Sequence, residues 1–419
     1  MKEEEIIDSL KKVKKRSGEI KGLSPTTQTA VLKTLAQELR SNRELILQAN
    51  KKDCDLMDPS DPRYDRLLLN KERIEAIAKD VETVMNLPSP LHHILEERRL
   101  PNGLLLQRIS VPLGVVAVIY ESRPNVTVDV FSLCFKAGNG CVVKGGKEAS
   151  HSNQALSACI HEALKKEGVS PEVFYALPSE RASTSLLLNA IHLVDVCIPR
   201  GSQSLINAVR KEAKIPIIET GAGIVHTYFD KEGDFKKGQN IIFNAKTRRV
   251  SVCNALDTLI IHSARLKELS ELVKPLQEKS VLLWADKRSY DVLCSHYDAS
   301  YLKQATPEVF GREFLSHQLA IKTVDSLEEA VEHIQQYTSG HSEAIVTESK
   351  RAADFFINHV DAAVVYVNAS TAFTDGAQFG LGAEIGISTQ KLHARGPMAL
   401  DALTSYQWVI HGDGQIRPA

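Results

Sequence analysis

A single cysteine lies in a sequence setting that suits nucleophilic catalysis. Cys253 follows Arg248 and Arg249 in the segment Thr247–Ala255, and it precedes the apolar run Leu259–Ile261. A cysteine attacks as its thiolate, and neighbouring cations or a helix N-terminus lower the thiol pKa towards neutrality. An isolated cysteine is more often a small buried hydrophobic residue. The rest of the chain must therefore decide between these two interpretations.

Two further segments could bind negative charge. The run Lys144-Gly145-Gly146-Lys147 ends a predicted strand and leads into a predicted helix, so its cations and the helical N–H groups favour a phosphate or a ribose. A solvated turn is the alternative. Asn125 follows the predicted strand Val115–Tyr120, where its amide could donate to an oxyanion or could belong to a turn beside Pro124.

Other motifs are less specific. Arg200-Gly201-Ser202 repeats the strand, glycine and helix arrangement, and by itself it indicates a helix cap at Ser202. The segment Gly380–Gly386 has the wrong glycine spacing for a Rossmann phosphate turn. His333 and His341 lack H-x-x-x-H spacing, so we interpret them as structural or substrate-side polar groups and predict no metal site.

Composition favours a small-molecule partner. The 419 residues carry a net charge of −1, without the basic excess typical of a nucleic-acid binder. The seven cysteines include no C-x-x-C pair, which indicates reduced thiols. No secretory signal follows the charged first residues, and the longest apolar run, Val111–Tyr120, is about half of a membrane span. We therefore expect a soluble cytoplasmic protein that binds neither nucleic acid nor membrane.

Two series of alternating strands and helices must position these residues. Such alternation predicts an α/β fold with parallel sheets covered on both faces. In the first series, the predicted strands are Val115–Tyr120, Cys141–Lys144, Val173–Leu177, Leu193–Ile198 and Ile215–Glu219, with helices at about 126–137, 149–167, 180–190 and 202–213. In the second, the predicted strands are Thr258–His262, Val281–Ala285, Leu319–Val324, Ala344–Thr347 and Ala363–Asn368, with helices at about 235–247, 264–277, 327–337 and 349–359.

The flanking segments are different. Residues 1 to about 50 and about 65 to 87 have helical patterns, with Ser24 as an N-cap before Pro25 and a turn-rich break at Asp58–Pro62. Leu104–Val111 and Ser405–Ile410 resemble β-strands.

The chain from about Ser24 to Arg417 resembles the aldehyde dehydrogenase superfamily, and most closely its glutamate-5-semialdehyde dehydrogenase branch, also called the gamma-glutamyl phosphate reductases. The segments that carry the resemblance are Val324–Glu343, Arg248–Ala255, Asn368–Gly376 and Gly382–Pro397.

The resemblance implies roles for individual residues. Cys253 corresponds to the catalytic nucleophile, and Asn125 to the asparagine that stabilises the oxyanion. The corresponding cofactor-side residues are Lys144 at the adenosine ribose, Gly201 and Ser202 near the pyrophosphate and nicotinamide, and Glu313 at the nicotinamide ribose. Lys147 aligns where NAD-preferring relatives often have a glutamate on the 2′-hydroxyl. Because a cation there attracts a 2′-phosphate, we infer NADPH.

Glu219-Thr220-Gly221 resembles the segment whose glutamate activates water in hydrolytic aldehyde dehydrogenases. An acyl phosphate reductase has no use for that water, so Glu219 and Gly221 are counted with the cofactor-side residues. The chain departs from the branch at Val225, where a second cysteine often stands before His226. No role for a second thiol is inferred there.

The implied reaction is the NADPH-dependent reduction of L-glutamyl 5-phosphate through a Cys253 thioester. Arg123, Arg248 and Arg249 are candidates for the substrate's phosphate and carboxylate, because arginine binds such groups bidentately. The alternatives are an NAD-linked aldehyde dehydrogenase with hydrolytic deacylation and a non-enzymatic scaffold on the same fold. By analogy we expect a homo-oligomer, and an association with glutamate 5-kinase is left open.

The implied architecture has two parallel-sheet α/β domains and a small arm. We predict an NADP-binding domain at 1–99 and 112–226, a catalytic domain at 227–370, and an oligomerisation arm at 100–111 and 395–419. The glycine-rich segment 371–394 is expected to border the active site.

Overall fold

The computed structural model describes residues 3–61 and 63–417. Pro62, at the end of the predicted turn, and the outermost residues of the predicted terminal segments lie outside this part of the chain. The α-helices are α1 (Glu3–Ile20), α2 (Pro25–Ser41), α3 (Arg43–Cys54), α4 (Tyr64–Leu67), α5 (Lys71–Asn86), α6 (Asn125–Lys136), α7 (Ser150–Lys166), α8 (Arg181–Leu188), α9 (Gln203–Glu212), α10 (Phe235–Thr247), α11 (Leu269–Gln277), α12 (Lys287–Leu293), α13 (Leu327–Tyr337) and α14 (Lys350–His359). The β-strands are β1 (Ile94–Arg99), β2 (Leu105–Pro112), β3 (Val115–Tyr120), β4 (Gly140–Lys144), β5 (Phe174–Ala176), β6 (Val196–Arg200), β7 (His226–Phe229), β8 (Thr258–His262), β9 (Leu282–Ala285), β10 (Leu302–Gln304), β11 (Gln318–Val324), β12 (Ser342–Val346), β13 (Val364–Val367), β14 (Ile387–Ser388), β15 (Gly396–Pro397) and β16 (Thr404–His411).

The chain folds into two compact units. Unit 1 comprises residues 1–220, 380–386 and 392–419, and unit 2 comprises residues 221–379 and 387–391. This division differs in detail from the predicted one. Unit 2 begins at Gly221, the arm residues belong to unit 1, and the glycine-rich segment is shared between the units.

Unit 1 is built on a parallel sheet with the strand order β5-β4-β3-β6. Every residue of β3 is buried, as expected for a central parallel strand covered on both faces. Val116 and Val118 join one hydrophobic cluster, while Val115 and Ala117 join another on the opposite face. The carboxyl ends of all four strands therefore meet at one edge of the sheet, where the loops that follow them lie side by side.

The arm of unit 1 is an antiparallel sheet with the order β1-β2-β16. The predicted strips Leu104–Val111 and Ser405–Ile410 correspond to β2 and β16. The strand β1 was not predicted, because its charged sequence gives no apolar alternation. Tyr406, Trp408 and Ile410 are exposed on β16.

Unit 2 contains a seven-stranded parallel sheet with the order β10-β9-β11-β8-β7-β12-β13. Leu259 and Ile261 of β8 pack into the cluster on one face, and Ile260 packs into the cluster on the other. The sequence pattern had missed β7, β10 and α12. The strand β7 pairs with β8 and β12, so His226 belongs to this sheet rather than to the first domain.

Two local predictions had different outcomes. The Ser24 side chain accepts the Thr27 N–H at 3.1 Å and Pro25 opens α2, so the predicted cap is confirmed. The predicted strand Ile215–Glu219 is wrong, because only Ile217 forms an isolated parallel bridge, to Cys197. Pro216 has no N–H to donate to a ladder, which limits the pairing there.

No helix within residues 3–61 or 63–417 combines the length and apolarity needed to cross a membrane.

Candidate active site

Cys253 lies in the loop of unit 2 that joins α10 to β8. Asp234 caps α10 by accepting the Lys237 N–H at 2.8 Å. The helix ends at Thr247, and Arg248 and Arg249 are exposed directly after it. Cys253 itself is half-buried. The loop thus presents one thiol that is accessible but held close to the protein interior.

The immediate partner of Cys253 is a histidine. His341 Nε2 lies 3.1 Å from Cys253 Sγ, and the imidazole is fully buried. Burial lowers the pKa of His341 to about 4, so the ring is neutral near pH 7. A neutral imidazole has one donor nitrogen and one acceptor nitrogen. At this distance it can therefore accept the thiol proton or donate to the thiolate.

A file of three hydroxyls continues from the other ring nitrogen. His341 Nδ1 lies 2.8 Å from Ser342 Oγ, which lies 2.7 Å from Thr374 Oγ1. Tyr366 Oη lies 2.9 Å from Thr374 Oγ1. Ser342 and Thr374 are buried, whereas Tyr366 is half-buried. We call these three residues the hydroxyl file.

Asn254 fixes the Cys253 loop from one side. Its Nδ2 donates to the carbonyl oxygens of Ala372, at 3.4 Å, and Thr374, at 3.0 Å. Thr371 Oγ1 donates in return to the Asn254 carbonyl at 2.8 Å. The first residues of the predicted glycine-rich segment therefore contact the residue next to Cys253.

Gly223 fixes the loop from another side. A Cβ on Gly223 would lie 1.6 Å from the Cys253 carbonyl oxygen, so only glycine permits this approach of the two backbones. The Gly223 N–H donates to Glu313 Oε1 at 3.0 Å, and the Ile224 N–H donates to Ser339 Oγ at 2.9 Å. Unit 2 thus brings Glu313 and the segment that begins at Gly221 to the backbone of Cys253.

Asn125 opens α6 in unit 1, after β3 and the half-buried Arg123. Its Nδ2 donates to Asp129 Oδ2 at 2.8 Å, which orients the amide. Burial, together with the nearby Asp80, raises the pKa of Asp129 to about 7 against the opposing effects of Arg200 and Asn125. Asp129 was not predicted from the sequence, although its position four residues after Asn125 on a helix places both on one face.

The predicted anion-binding turn follows β4 at the carboxyl edge of the same sheet. Burial lowers the pKa of Lys144 from its ordinary value, partly offset by Glu148, Glu121 and Glu180. Lys147 is exposed at the start of a single 3₁₀ turn ahead of α7. The two lysines therefore differ, since one is shielded at the strand end and the other faces solvent.

A cavity of about 430 Å³ lies beside this turn, within the range of small-molecule sites. Its walls include Gly145 and Gly146, and a Cβ on Gly145 would lie 2.1 Å from Asn153 Nδ2. Sequence pattern gave no indication of the polar residues that line the cavity from α7 and from the loop after β5, among them Asn153, Gln154, Ser157, His161, Ser179 and Glu180. The spacing of Asn153, Gln154, Ser157 and His161 along one helix could have indicated them.

Glu121 occupies the start of α9. The Ser202 N–H donates to Glu121 Oε2 at 2.8 Å, and Ser202 Oγ donates to Oε1 at 3.3 Å. Ser202 also caps α9, as predicted, by accepting the Leu205 N–H. A Cβ on Gly201 would lie 2.5 Å from Glu121 Oε2. Gly201 and Ser202 thus surround an oxygen-binding position at the helix start.

Glu219 is held by an arginine. Arg210 Nε donates to Glu219 Oε1 at 2.7 Å, and Arg210 Nη2 donates to Oε2. Glu219 is buried, and this bidentate pair orients its carboxylate. Both carboxylate oxygens are thus engaged by Arg210, which bears on the role of Glu219 in water activation.

The remaining cysteines differ from Cys253 in exposure. Cys54, Cys134, Cys141, Cys159 and Cys197 are buried and unpaired, and Cys294 is exposed. Burial raises the pKa of Cys159 and of Cys197 to about 12. No group of three or more His, Cys, Asp or Glu side chains among the described residues is arranged to hold a metal ion.

Known proteins resemble this chain over its whole length. The aldehyde dehydrogenase family model matches residues 1–282. A gamma-glutamyl phosphate reductase of Legionella pneumophila (strain Paris) is 59% identical over 413 residues, which cover 99% of each chain. One of Pelodictyon phaeoclathratiforme is 58% identical over 416 residues, covering 99% of this chain and 100% of that protein.

A solved structure agrees with these relatives. The crystal structure of a gamma-glutamyl phosphate reductase from Thermotoga maritima is 37% identical, covers 99% of this chain and 100% of its own, and superposes with a TM-score of 0.94. The predicted fold is thereby confirmed, and the chain belongs to the aldehyde dehydrogenase family, within the branch of the gamma-glutamyl phosphate reductases.

Proposed function

We propose that this protein is an NADPH-dependent reductase of L-glutamyl 5-phosphate that forms L-glutamate 5-semialdehyde and phosphate, the second step of proline biosynthesis. The observation that carries the proposal is the contact between the Cys253 thiol and a buried histidine, at 3.1 Å. Asn254 and Gly223 fix the loop that contains Cys253. The names of the relatives at 58% and 59% identity support the same substrate.

In the proposed reaction, the Cys253 thiolate attacks the γ-carbonyl carbon and the bond to the phosphate oxygen breaks. Phosphate leaves with the bonding electron pair, and a thioester remains on Cys253. The Asn125 amide and the Cys253 N–H stabilise the oxyanion during attack. Asp129 orients that amide through the 2.8 Å hydrogen bond. The product semialdehyde leaves when the thiohemiacetal collapses and the thiolate is restored.

The cavity beside the Lys144–Lys147 turn suits the adenosine end of the cofactor in volume and in polar lining. Lys144 would lie against the ribose, and the exposed Lys147 would attract a 2′-phosphate. Gly201, Ser202, Gly221 and Glu313 are the proposed contacts towards the nicotinamide. Bound NADPH supplies the hydride that reduces the thioester.

The proposal requires that water does not reach the thioester. Glu219, the residue that resembles the water-activating glutamate of hydrolytic relatives, is paired with Arg210 in unit 1. That pair engages both carboxylate oxygens of Glu219 and so favours phosphate over water as the acceptor in the reverse direction. It therefore argues against an NAD-linked hydrolytic aldehyde dehydrogenase. We propose that Arg123 and the exposed pair Arg248 and Arg249 bind the phosphate and carboxylate of the substrate.

We further propose a homo-oligomer built through the arm. Tyr406, Trp408 and Ile410 expose apolar surface on β16, and such exposed strands are sites of strand pairing between chains. The seven cysteines form no disulfide with one another, which fits a reducing compartment such as the cytoplasm.

The test is the oxidation of the semialdehyde, supplied as pyrroline-5-carboxylate, with NADP. We expect turnover only when phosphate is present, and none above background in Cys253→Ala. Cys294→Ala is the matched control, because Cys294 is an exposed thiol of the same unit. Phosphate-independent turnover, or turnover retained in Cys253→Ala, would refute the proposal.

A further inference from the structure

The contact between His341 and Cys253 poses a question of proton balance. If the thiol proton moved to His341 and stayed there, the ring would become a cation with no exposed surface. Burial disfavours that cation, which is why the pKa of His341 is lowered. A buried base of this kind acts more readily if it releases one proton as it accepts another.

The hydroxyl file provides a path by which His341 can release a proton. Each hydroxyl can accept one proton and donate its own, and all three separations are between 2.7 and 2.9 Å. In one direction of donation, His341 Nδ1–H donates to Ser342 and Nε2 can accept from the thiol. In the other, Tyr366 donates to Thr374, Thr374 to Ser342 and Ser342 to Nδ1, so Nε2–H donates to a thiolate. The first direction of donation therefore fits the Cys253 thiol, and the second fits the thiolate.

We propose that His341 and the hydroxyl file form a proton relay that deprotonates Cys253 while the imidazole stays neutral. The S–H bond breaks as its proton binds Nε2, and the Nδ1 proton moves to Ser342 Oγ. The Ser342 proton moves to Thr374, the Thr374 proton to Tyr366, and the Tyr366 proton to solvent water. His341 is thus a positioning and proton-accepting residue.

The route matters most when the substrate is bound, and here the inference rests on the proposed function. The carbonyl carbon under attack must approach the open side of the half-buried sulfur. The proton then has to leave on the buried side, where His341 lies. The half-buried Tyr366 is the most exposed residue of the file, since Ser342 and Thr374 are 0% and 1% exposed.

The experiment measures alkylation of Cys253 by iodoacetamide in the intact protein, at neutral and at alkaline pH. At neutral pH we expect His341→Gln to react about tenfold more slowly than wild type, because a hydrogen bond to a charged group is lost. Thr374→Val should react about threefold more slowly, and Thr374→Ser should restore the wild-type rate. At alkaline pH hydroxide removes the thiol proton, so all rates should converge.

Ser289→Ala is the matched control, because Ser289 Oγ forms a 2.7 Å contact with Thr323 Oγ1 in the same unit, and both residues are buried. This variant should alkylate at the wild-type rate. Equal rates for His341→Gln and wild type at neutral pH would overturn the relay. Defects that persist at alkaline pH, or a Thr374→Ser variant as slow as Thr374→Val, would also overturn it by indicating a merely structural role.

The alkylation assay needs neither substrate nor cofactor. If wild type lacks phosphate-dependent oxidation but shows the expected alkylation pattern, the proposed function fails and the relay stands. If the oxidation is present and the pattern is absent, the relay fails alone.

Discussion

Replacing Gly223 by alanine tests whether the packing of two backbones positions Cys253, the proposed nucleophile. The added Cβ would lie 1.6 Å from the Cys253 carbonyl oxygen, whereas real contacts of this kind are not shorter than 3.0 Å. The two segments must therefore separate by about 1.4 Å. Neither partner is a flexible side chain that could turn aside.

The expected loss of stability follows from the hydrogen bonds that hold these two segments. The segment at Gly223 is anchored by Glu313, and the Cys253 loop is anchored by Asn254. A separation that breaks either hydrogen bond costs about 1 kcal/mol, in addition to about 1–3 kcal/mol for overpacking. We expect the free energy of unfolding to fall by about 2–4 kcal/mol. Because a displacement of about 1 Å at a reacting group can cost about a hundredfold in rate, turnover should fall to about 1%.

The assay compares phosphate-dependent turnover and urea unfolding of Gly223→Ala with those of Gly311→Ala. Gly311 lies in the same unit, and a Cβ there would meet only Tyr337 Cδ1 at 3.4 Å, an ordinary contact. The control should retain turnover and stability. Turnover of Gly223→Ala within about twofold of the control would show that backbone packing at this glycine does not position Cys253.

Two other predictions concern unit 1. Lys147→Ala should raise the KM for NADPH by roughly tenfold and leave the KM for NADH unchanged, because only the former carries a 2′-phosphate; steady-state kinetics with both cofactors checks this, and equal effects on both would refute it. Asp129→Asn should become more stable relative to wild type as pH rises from about 4 to about 7. The folded-state pKa of Asp129 is raised to about 7 from 3.8, so its contribution to stability is present below pH 4 and is lost as pH rises through 7. Urea unfolding at a series of pH values measures this, and a difference between variant and wild type that does not change with pH would contradict it.

Much of the fold was predictable because local pattern and tertiary structure agree. The unbroken apolar run of β3 predicted a strand covered on both faces, and the Ser24 cap predicted the start of α2. The sequence pattern failed where pairing with a neighbouring strand decides whether a segment forms a β-strand. The charged strand β1 forms because β2 pairs with it. The apolar segment Ile215–Glu219 makes only one bridge, because Pro216 lacks the backbone N–H that a strand needs for pairing.

The site was predictable only in part, for a related reason. Its own segment left the role of Cys253 open and the family resemblance made it the candidate nucleophile, whereas its contact with His341 joins residues 88 positions apart. The two members of the file beyond Ser342 lie on different segments again, and spacing along the chain gives no sign of them. Sequence pattern can therefore indicate a candidate nucleophile, whereas the residues that contact its thiol depend on how β12 and the turn at Thr371–Phe373 pack.

The unequal exposure of the seven cysteines makes the native protein its own reference in thiol chemistry. Five thiols are enclosed, so a reagent added to the folded chain meets only Cys253 and Cys294. Peptide mapping after brief labelling gives both adducts from one sample, and their ratio cancels differences in reagent strength and protein amount. Cys294 reports an ordinary surface thiol, so any excess labelling at Cys253 directly measures its activation by the surrounding protein.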